Sequence, residues 1–327
     1  MVLTEFGPAS KLRLGEFRDP QPREGWVTVE LRAAALNWHD VLVRQGRYDS
    51  PLPHVIGADG AGVVRETGAE VVVVPSLWWG HRQSAPSDQW QILGDHVPGT
   101  YAELVQVPSE AVAPKPPSWS WAEAAAFPLV GLTAYRALFV RGRLERGESV
   151  LVLGASGGFA TTAISLASAA AADVIITSSS TDKIDIARKI GARDGVLYSD
   201  PNWVEAARAL SPSGQGYDLI LDSVGTWSDA LLALRPGGRL VVLGASRATR
   251  AELDVRSYYF GQYDLLGTTM GSTRDYQDLV AFMKSHSVPP PLINRVFPLD
   301  EAASAHEFLE SGQGVGKVVL DITGMAS

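Results

Sequence analysis

Cysteine is absent from all 327 residues. That removes disulfides and every thiolate-held metal from consideration. A surplus of positive charge is missing as well: 28 Lys and Arg stand against 36 Asp and Glu, a net charge of −8. A nucleic-acid partner would need a basic face, and this balance argues against one. Nor is there a long unbroken apolar run. The least polar stretch, near residues 160–177, is interrupted by Thr, Ser and Asp173, so it does not read as a membrane span. No leader-like segment opens the chain, since Met1 runs into a short apolar strand and Gly7-Pro8. With the missing cysteines, this sets the expectation of a cytoplasmic protein.

What is present is enough apolar material for about two domains, each with its own core. The first ~115 residues are rich in short β segments and turns. Trp26–Leu31 alternates as a half-buried strand should. Gly57–Val64 is a strand crowded with glycine, where backbones are expected to approach closely. Pro108–Pro117 is proline-rich and reads as a boundary, and Ser120 with Glu123 has the spacing of a helix capping box. Strands and helices then alternate. Strands are expected at Val150–Leu153, Val174–Thr177, Leu219–Asp222, Leu240–Leu243 and Tyr263–Thr269, with helices near 160–171, 182–190, 202–210 and 227–234. Alternation of this kind predicts a parallel sheet with helices on both faces. Pro236-Gly237-Gly238 is expected to turn ahead of the Leu240 strand. Helices at Thr273–Lys284 and Asp300–Glu310 and a strand at Val318–Ile322 complete the chain.

The chemistry concentrates at the start of the alternating region. The strand Ser149–Leu153 leads into Gly154-Ala155-Ser156-Gly157-Gly158-Phe159-Ala160, then a helix, then Val174–Thr177. A pyrophosphate needs backbone N–H groups unobstructed by Cβ at the positive end of a helix. Gly157 and Gly158 supply that approach, and Ala160 stands in for the last glycine of a dinucleotide turn. Ala155 breaks the strict glycine pattern, so the signal rests on the strand–helix–strand spacing around it. At the end of the second strand, an NAD-specific site would carry Asp or Glu for the ribose 2′-OH. This chain carries Ser178-Ser179-Ser180-Thr181-Asp182-Lys183. Small hydroxyls and Lys183 favour a 2′-phosphate, hence NADPH over NADH, with Asp182 read as the N-cap of the next helix.

These segments, with Ala35–Asp40, Gly131–Tyr135, Asp222–Gly225 and Gly237–Leu240, make the chain resemble the medium-chain dehydrogenase/reductase superfamily, most of all its zinc-free quinone oxidoreductase branch. The resemblance implies an α/β fold. A Rossmann doubly wound parallel sheet, residues 123–271, would be inserted into a GroES-like β-rich catalytic domain made of 1–122 and 272–327. The nicotinamide would lie in the cleft between them, and Tyr263–Thr269 would be the edge strand that pairs in family homodimers. Zinc-dependent members carry Cys where Asn37 stands and His-Glu where Ala58-Asp59 stands, and their four-cysteine lobe matches Trp78–Pro98, so no metal is expected. Among the histidines, His39, His54, His81 and His96 lack ligand spacing. A shortened turn ahead of Glu70–Val74 departs from the family pattern.

Without a Lewis acid, an electron-poor acceptor is the natural partner, because charge spreads over a conjugated system. The resemblance therefore implies hydride transfer from NADPH to a quinone, with an α,β-unsaturated carbonyl as the alternative acceptor. An enone reductase, a non-catalytic NADPH-binding protein and, more distantly, a zinc alcohol dehydrogenase are the competing readings. Asn37 is the first residue expected at the substrate oxygen. Tyr48 is either a proton source or a loop-packing ring, and Arg44 either orients a ligand or is a solvated helix charge. Asp40 is read as fixing local structure. By family position, Thr133 would lie near the nicotinamide amide and Tyr198 beside the adenosine ribose. Val224 and Gly244 join Gly154, Ser156, Gly157, Gly158, Phe159, Ala160, Ser178, Ser179, Ser180 and Lys183 as cofactor-binding positions. Trp78, Trp79 and Trp90 either roof the site or pack a core.

Overall fold

The computed structural model describes residues 1–324. Two-residue strands aside, the chain begins with β1 (Trp26–Ala35), α1 (Trp38–Arg44), β2 (Asp59–Val64), β3 (Glu70–Val73), β4 (Leu104–Pro108) and β5 (Val112–Pro114). Helices α2 (Trp121–Ala125) and α3 (Pro128–Tyr135) follow. The alternating region is β6 (Ser149–Leu153), α4 (Gly158–Ala169), β7 (Asp173–Ser178), α5 (Thr181–Lys189), β8 (Asp194–Leu197), α6 (Trp203–Leu210), β9 (Tyr217–Asp222), α7 (Trp227–Ala233), β10 (Leu234–Val242), α8 (Val255–Gly261) and β11 (Asp264–Gly267). Last come α9 (Thr273–His286), β12 (Ile293–Pro298), α10 (Ala302–Glu310) and β13 (Lys317–Asp321). No helix among the described residues is long and apolar enough to cross a membrane.

The chain divides into two compact units. One is built from Met1–Val130, Gly271–Tyr276 and the chain from Pro290 on; the other from Gly131–Met270 and Gln277–Pro289.

In the second unit, β8-β7-β6-β9-β10-β11 form one six-stranded sheet, all neighbours parallel. This is the doubly wound Rossmann order, which reverses direction between β6 and β9. Leu151, Ile175, Ile220 and Leu240 are fully buried, and β6 is buried along its whole length. Helices on both faces explain why the central strands read as continuous apolar runs rather than alternating ones. Two local expectations change. Pro236-Gly237-Gly238 does not precede a strand but bulges within one, because the register slips between Tyr217–Leu234 and Leu219–Arg239 while β10 continues. β8 and α8 are elements that the sequence pattern did not reveal.

The first unit is β-rich. Its sheet runs β12-β13-β1-β2-β3-β5, with β4 also paired to β1, and only β12–β13 is parallel. Val29, Leu31, Leu36, Ile56, Tyr101, Val107 and Leu320 form its core. The glycine-crowded strand is explained by close approach: a Cβ on Gly62 would lie 2.0 Å from the Glu30 carbonyl oxygen on β1. The shortened turn still closes a regular β2–β3 hairpin, with Gly62 opposite Val71 and Val64 N–H donating to the Ala69 carbonyl at 2.9 Å. The Ser120–Glu123 capping box forms as the spacing predicts, starting α2.

Candidate functional site

The second unit presents its chemistry at the carboxyl ends of its strands. After β6 the chain turns at Gly154, whose φ of +100° suits glycine and whose N–H donates to Thr177 Oγ1 at 3.0 Å. Gly157 is the N-cap of α4. Nothing lies within 4 Å of a Cβ built on either glycine, so this backbone faces open space. The N–H groups of Gly158, Phe159 and Ala160 precede the first intrahelical bond, from Thr161 N–H to the Gly157 carbonyl at 3.0 Å. Ala155 and Ala160 are buried beneath the turn, while Ser156 is partly open. An open glycine cradle with unengaged helix N–H groups fits a pyrophosphate.

The end of β7 differs in detail from expectation. Ser180, not Asp182, caps α5: its Oγ accepts from Lys183 N–H at 3.4 Å, and Asp182 sits exposed in the first turn. Both residue types cap well, but only Ser180 takes the extended backbone that an N-cap requires. Ser178 is buried, with Oγ accepting from Ser180 N–H at 3.3 Å; Ser179 is exposed. Tyr198 follows β8 and bonds through its N–H to the Ser178 carbonyl at 3.0 Å, so the two stand side by side.

Beyond β9, buried Asp222 organises the next turn. Its carboxylate accepts from the N–H groups of Val224 at 2.6 Å, Gly225 at 2.8 Å and Thr226 at 2.9 Å, and burial raises its pKa. The loop after β10 lies directly on this turn. A Cβ on Gly244 would meet the Ser223 carbonyl oxygen at 2.7 Å, which accounts for that glycine. Thr133, nearly buried, has its hydroxyl 3.8 Å from Met270 sulfur.

The first unit carries a buried polar cluster. Asn37 caps α1, and its side chain is engaged at both ends: Nδ2 donates to Asp59 Oδ2 at 2.9 Å, and Oδ1 accepts from Lys317 Nζ at 2.6 Å. Lys317 also donates to Asp59 Oδ2 at 3.1 Å, and Asp59 Oδ1 accepts from Leu129 N–H at 2.8 Å. Lys317 and Asp59 are buried, so their ion pair is shielded from water. Next to it, Asp40 accepts from Asn37 N–H at 2.8 Å, Ala58 N–H at 3.1 Å and the Tyr101 hydroxyl at 3.2 Å. Burial, opposed by His39 and by the Asn37 N–H, pushes Asp40 up to about 6. Tyr101 is raised further by burial and by Asp40 itself. Behind Tyr101, His306 Nε2 shares a 3.2 Å hydrogen bond with its hydroxyl, and burial lowers His306 to about 3. Asp40 therefore anchors local structure, as its sequence context indicates.

Arg44 is not a solvated helix charge. It is 1% exposed and its Nη2 donates to both carboxylate oxygens of Glu310 at 2.8 Å. Tyr48 lies at the surface, 37% exposed, its ring edge-on to His39 with centroids 4.5 Å apart. Its pKa is raised by burial and then by Asp95. His39 Nε2 shares a 2.5 Å hydrogen bond with Asp95 Oδ1. Trp79 is core, packed edge-on against Trp90, whose indole N–H donates to Ser76 Oγ at 2.9 Å. Sequence reasoning missed Lys317 and Asp95 because their partners lie 258 and 56 residues away, beyond any local pattern.

Comparison with known proteins agrees with both halves of this geometry. Residues 23–117 match the profile of the alcohol dehydrogenase GroES-like domain, and residues 158–285 that of the zinc-binding dehydrogenases, which covers the NAD(P)-binding region. A zinc-type alcohol dehydrogenase-like protein of Schizosaccharomyces pombe is 31% identical over 98% of each chain. The 2-methylene-furan-3-one reductase of Solanum lycopersicum is 31% identical over 97% of this chain and 77% of its own. The quinone oxidoreductase of Mus musculus is 27% identical over 97% and 95%. Among solved structures, an NAD-dependent alcohol dehydrogenase superposes with a TM-score of 0.92, at 36% identity over 98% of both chains. A Rossmann sheet with an open glycine cradle, a GroES-like β unit and full-length relatives of this kind have one common source: the chain belongs to the medium-chain dehydrogenase/reductase superfamily and is an oxidoreductase.

Proposed function

We propose that the protein is a zinc-independent, NADPH-dependent reductase of quinones. The observation that carries this reading is the buried ammonium of Lys317 between Asn37 and Asp59. These are positions where the resemblance puts metal ligands in zinc-dependent members. Here their oxygens hold a protonated amine, and a divalent cation at the same oxygens would meet like charge at contact distance. The donor set does not fit zinc. An acceptor that needs no Lewis acid follows, and quinones meet that condition because the incoming charge delocalises.

NADPH, when bound, supplies the hydride. Gly154, Gly157 and the first turn of α4 would hold its pyrophosphate. Asn37, with both ends of its amide engaged, fixes Lys317 and the start of α1 rather than reaching outward. Tyr48 is assigned as the O–H donor to an acceptor oxygen, a role supported by a hydroxyl without a partner among the described residues and by a ring braced against His39. A second reading, reduction of an enone, is favoured by the likeness to the tomato 2-methylene-furan-3-one reductase. We further propose a homodimer. β11 is the open edge of its sheet, and α8, just before it, exposes Val255, Tyr259 and Phe260 at 50–66%.

The test is NADPH and NADH oxidation by EDTA-treated protein of measured metal content, with 9,10-phenanthrenequinone and a simple enone in parallel. Rapid NADPH-preferring turnover of the quinone is expected. Turnover of the enone alone moves the assignment to alkene reduction, and activity restored only by added zinc overturns the zinc-independent reading.

A further inference from the structure

We propose that Arg247 is the residue that selects the 2′-phosphate of the cofactor, held ready for it by Tyr198. The inference rests on the NADPH reading and goes beyond the serine-rich segment from which that reading was drawn.

Arg247 belongs to the loop after β10. Its N–H donates to the Val224 carbonyl at 3.0 Å, so its backbone is tied to the turn after β9. Its side chain ends elsewhere, over the ring of Tyr198 after β8. The guanidinium carbon is 4.7 Å from the ring centroid, and Nη2 donates to the phenol oxygen at 2.9 Å. In the sheet order, β9 and β8 are separated by β6 and β7, three strand spacings or about 14 Å. The loop and side chain together therefore cross the carboxyl ends of β6 and β7. Those are the strands whose ends carry the glycine cradle and Ser178–Ser180, and in a doubly wound sheet the adenosine ribose lies at the end of the second of them.

Two further observations point to an anion there. Arg247 is exposed and has no carboxylate partner, and its Nε and Nη1 groups have no hydrogen-bond acceptor among the described residues. The stack on Tyr198 fixes the plane of the guanidinium while leaving that edge to bind phosphate in fork geometry. The serines supply less than their number suggests. Ser178 is buried and Ser180 is committed to capping α5, which leaves Ser179. Exposed Asp182, in the first turn of α5, would oppose a 2′-phosphate. Selection therefore needs cations beyond the serines: Lys183 lies in the same turn as Asp182, and Arg247 adds a second cation that has no carboxylate partner among the described residues.

The test is calorimetric binding to the full-length apoprotein, without turnover. The ligands are NADPH, NADH, 2′,5′-ADP and 5′-AMP, and the proteins are wild type, Arg247→Ala and Tyr198→Phe. One charge-assisted pair is lost in Arg247→Ala, so NADPH and 2′,5′-ADP should weaken about 10- to 100-fold. NADH and 5′-AMP should change less than about twofold, because the arginine makes no contact they need. Tyr198→Phe keeps the ring and removes the phenol oxygen, so it should cost NADPH a few-fold, again sparing NADH. An Arg247→Ala protein that keeps the wild-type NADPH-to-NADH ratio overturns the assignment of Arg247 while leaving the NADPH reading intact. A wild-type protein that binds NADH as tightly as NADPH overturns the NADPH reading itself, and this inference with it. Equal losses for both nucleotides in Arg247→Ala would make the residue a general clamp and also refute its role in selection.

Discussion

Replacing Lys317 by methionine should destabilise the protein more than a surface lysine ever would. Lys317 is 3% exposed and its partner Asp59 is wholly buried. The Asp59 carboxylate accepts three hydrogen bonds, from Leu129 N–H, Asn37 Nδ2 and Lys317 Nζ, and only the last brings a charge. Methionine keeps most of the side-chain volume, so little of the cost is cavity formation. What remains is a carboxylate sealed from water with neutral donors only, and breaking one partner of a buried pair costs about 3–5 kcal/mol. At about 2.1 cal/mol/K of unfolding entropy per residue, a chain of 327 residues shifts by about 1.5 °C per kcal/mol, so the melting temperature should drop by roughly 4–7 °C. Asp59→Asn should cost a similar amount for the mirrored reason, a buried ammonium without its anion. The double variant removes both charges, and its cost should fall well below the sum, with a coupling energy of roughly 2–4 kcal/mol. Urea unfolding followed by tryptophan fluorescence gives all three values. A Lys317→Met cost under about 1 kcal/mol, or additive single costs, would refute the account of Lys317 as the buried counter-charge of Asp59.

Other outcomes follow from the same structure. Burial raises Asp40 to about 6 from its ordinary value of 3.8. A group whose folded pKa is raised favours the folded state fully below its unfolded value, and that contribution is lost as pH rises through the folded value. Wild-type stability relative to Asp40→Asn should thus fall between about pH 4 and pH 7, by an order of 2–3 kcal/mol, as read by urea titrations across that range. Phe260→Asp, on exposed α8, should shift a dimer toward monomer by at least about tenfold in light scattering while leaving the melting temperature of the monomer unchanged. A monomeric wild-type protein at micromolar concentration would remove the ground for that proposal.

How far the sequence led depends on the range of the interactions involved. β6, α4 and β7 were legible because each is a continuous apolar run or a helical period bounded by glycine, and the sheet order then follows from parallel connections. The Ser120–Glu123 box was legible because both partners lie within one turn. β8 was not, because four residues containing Gly195 offer too little periodicity at a sheet edge. The cap of α5 fell between two good capping residues two positions apart, and only the extended backbone at Ser180 decides between them. Arg44 was left between a ligand-orienting role and a solvated charge, and its actual partner, Glu310, is 266 residues away in α10, beyond any local pattern. A similar distance in sequence separates Lys317 from Asn37 and Asp59, so no local pattern joins the three.

These two cations, Lys317 and Arg247, divide the work of the molecule by their surroundings rather than by their charge. Lys317 is enclosed by an amide oxygen and a carboxylate, so its field is largely cancelled where it sits, and its consequence is structural: it ties Asn37 to Asp59 in a buried cluster. Arg247 is exposed, oriented by an aromatic ring and without an anion, so its field is available to a ligand. A carboxylate placed beside Arg247 would end that availability as surely as Asp59 ends that of Lys317. Introducing one at the neighbouring exposed position, Ser246→Asp, should lower NADPH affinity while sparing NADH, and an unchanged ratio of the two would mean that the guanidinium lies outside the reach of the 2′-phosphate.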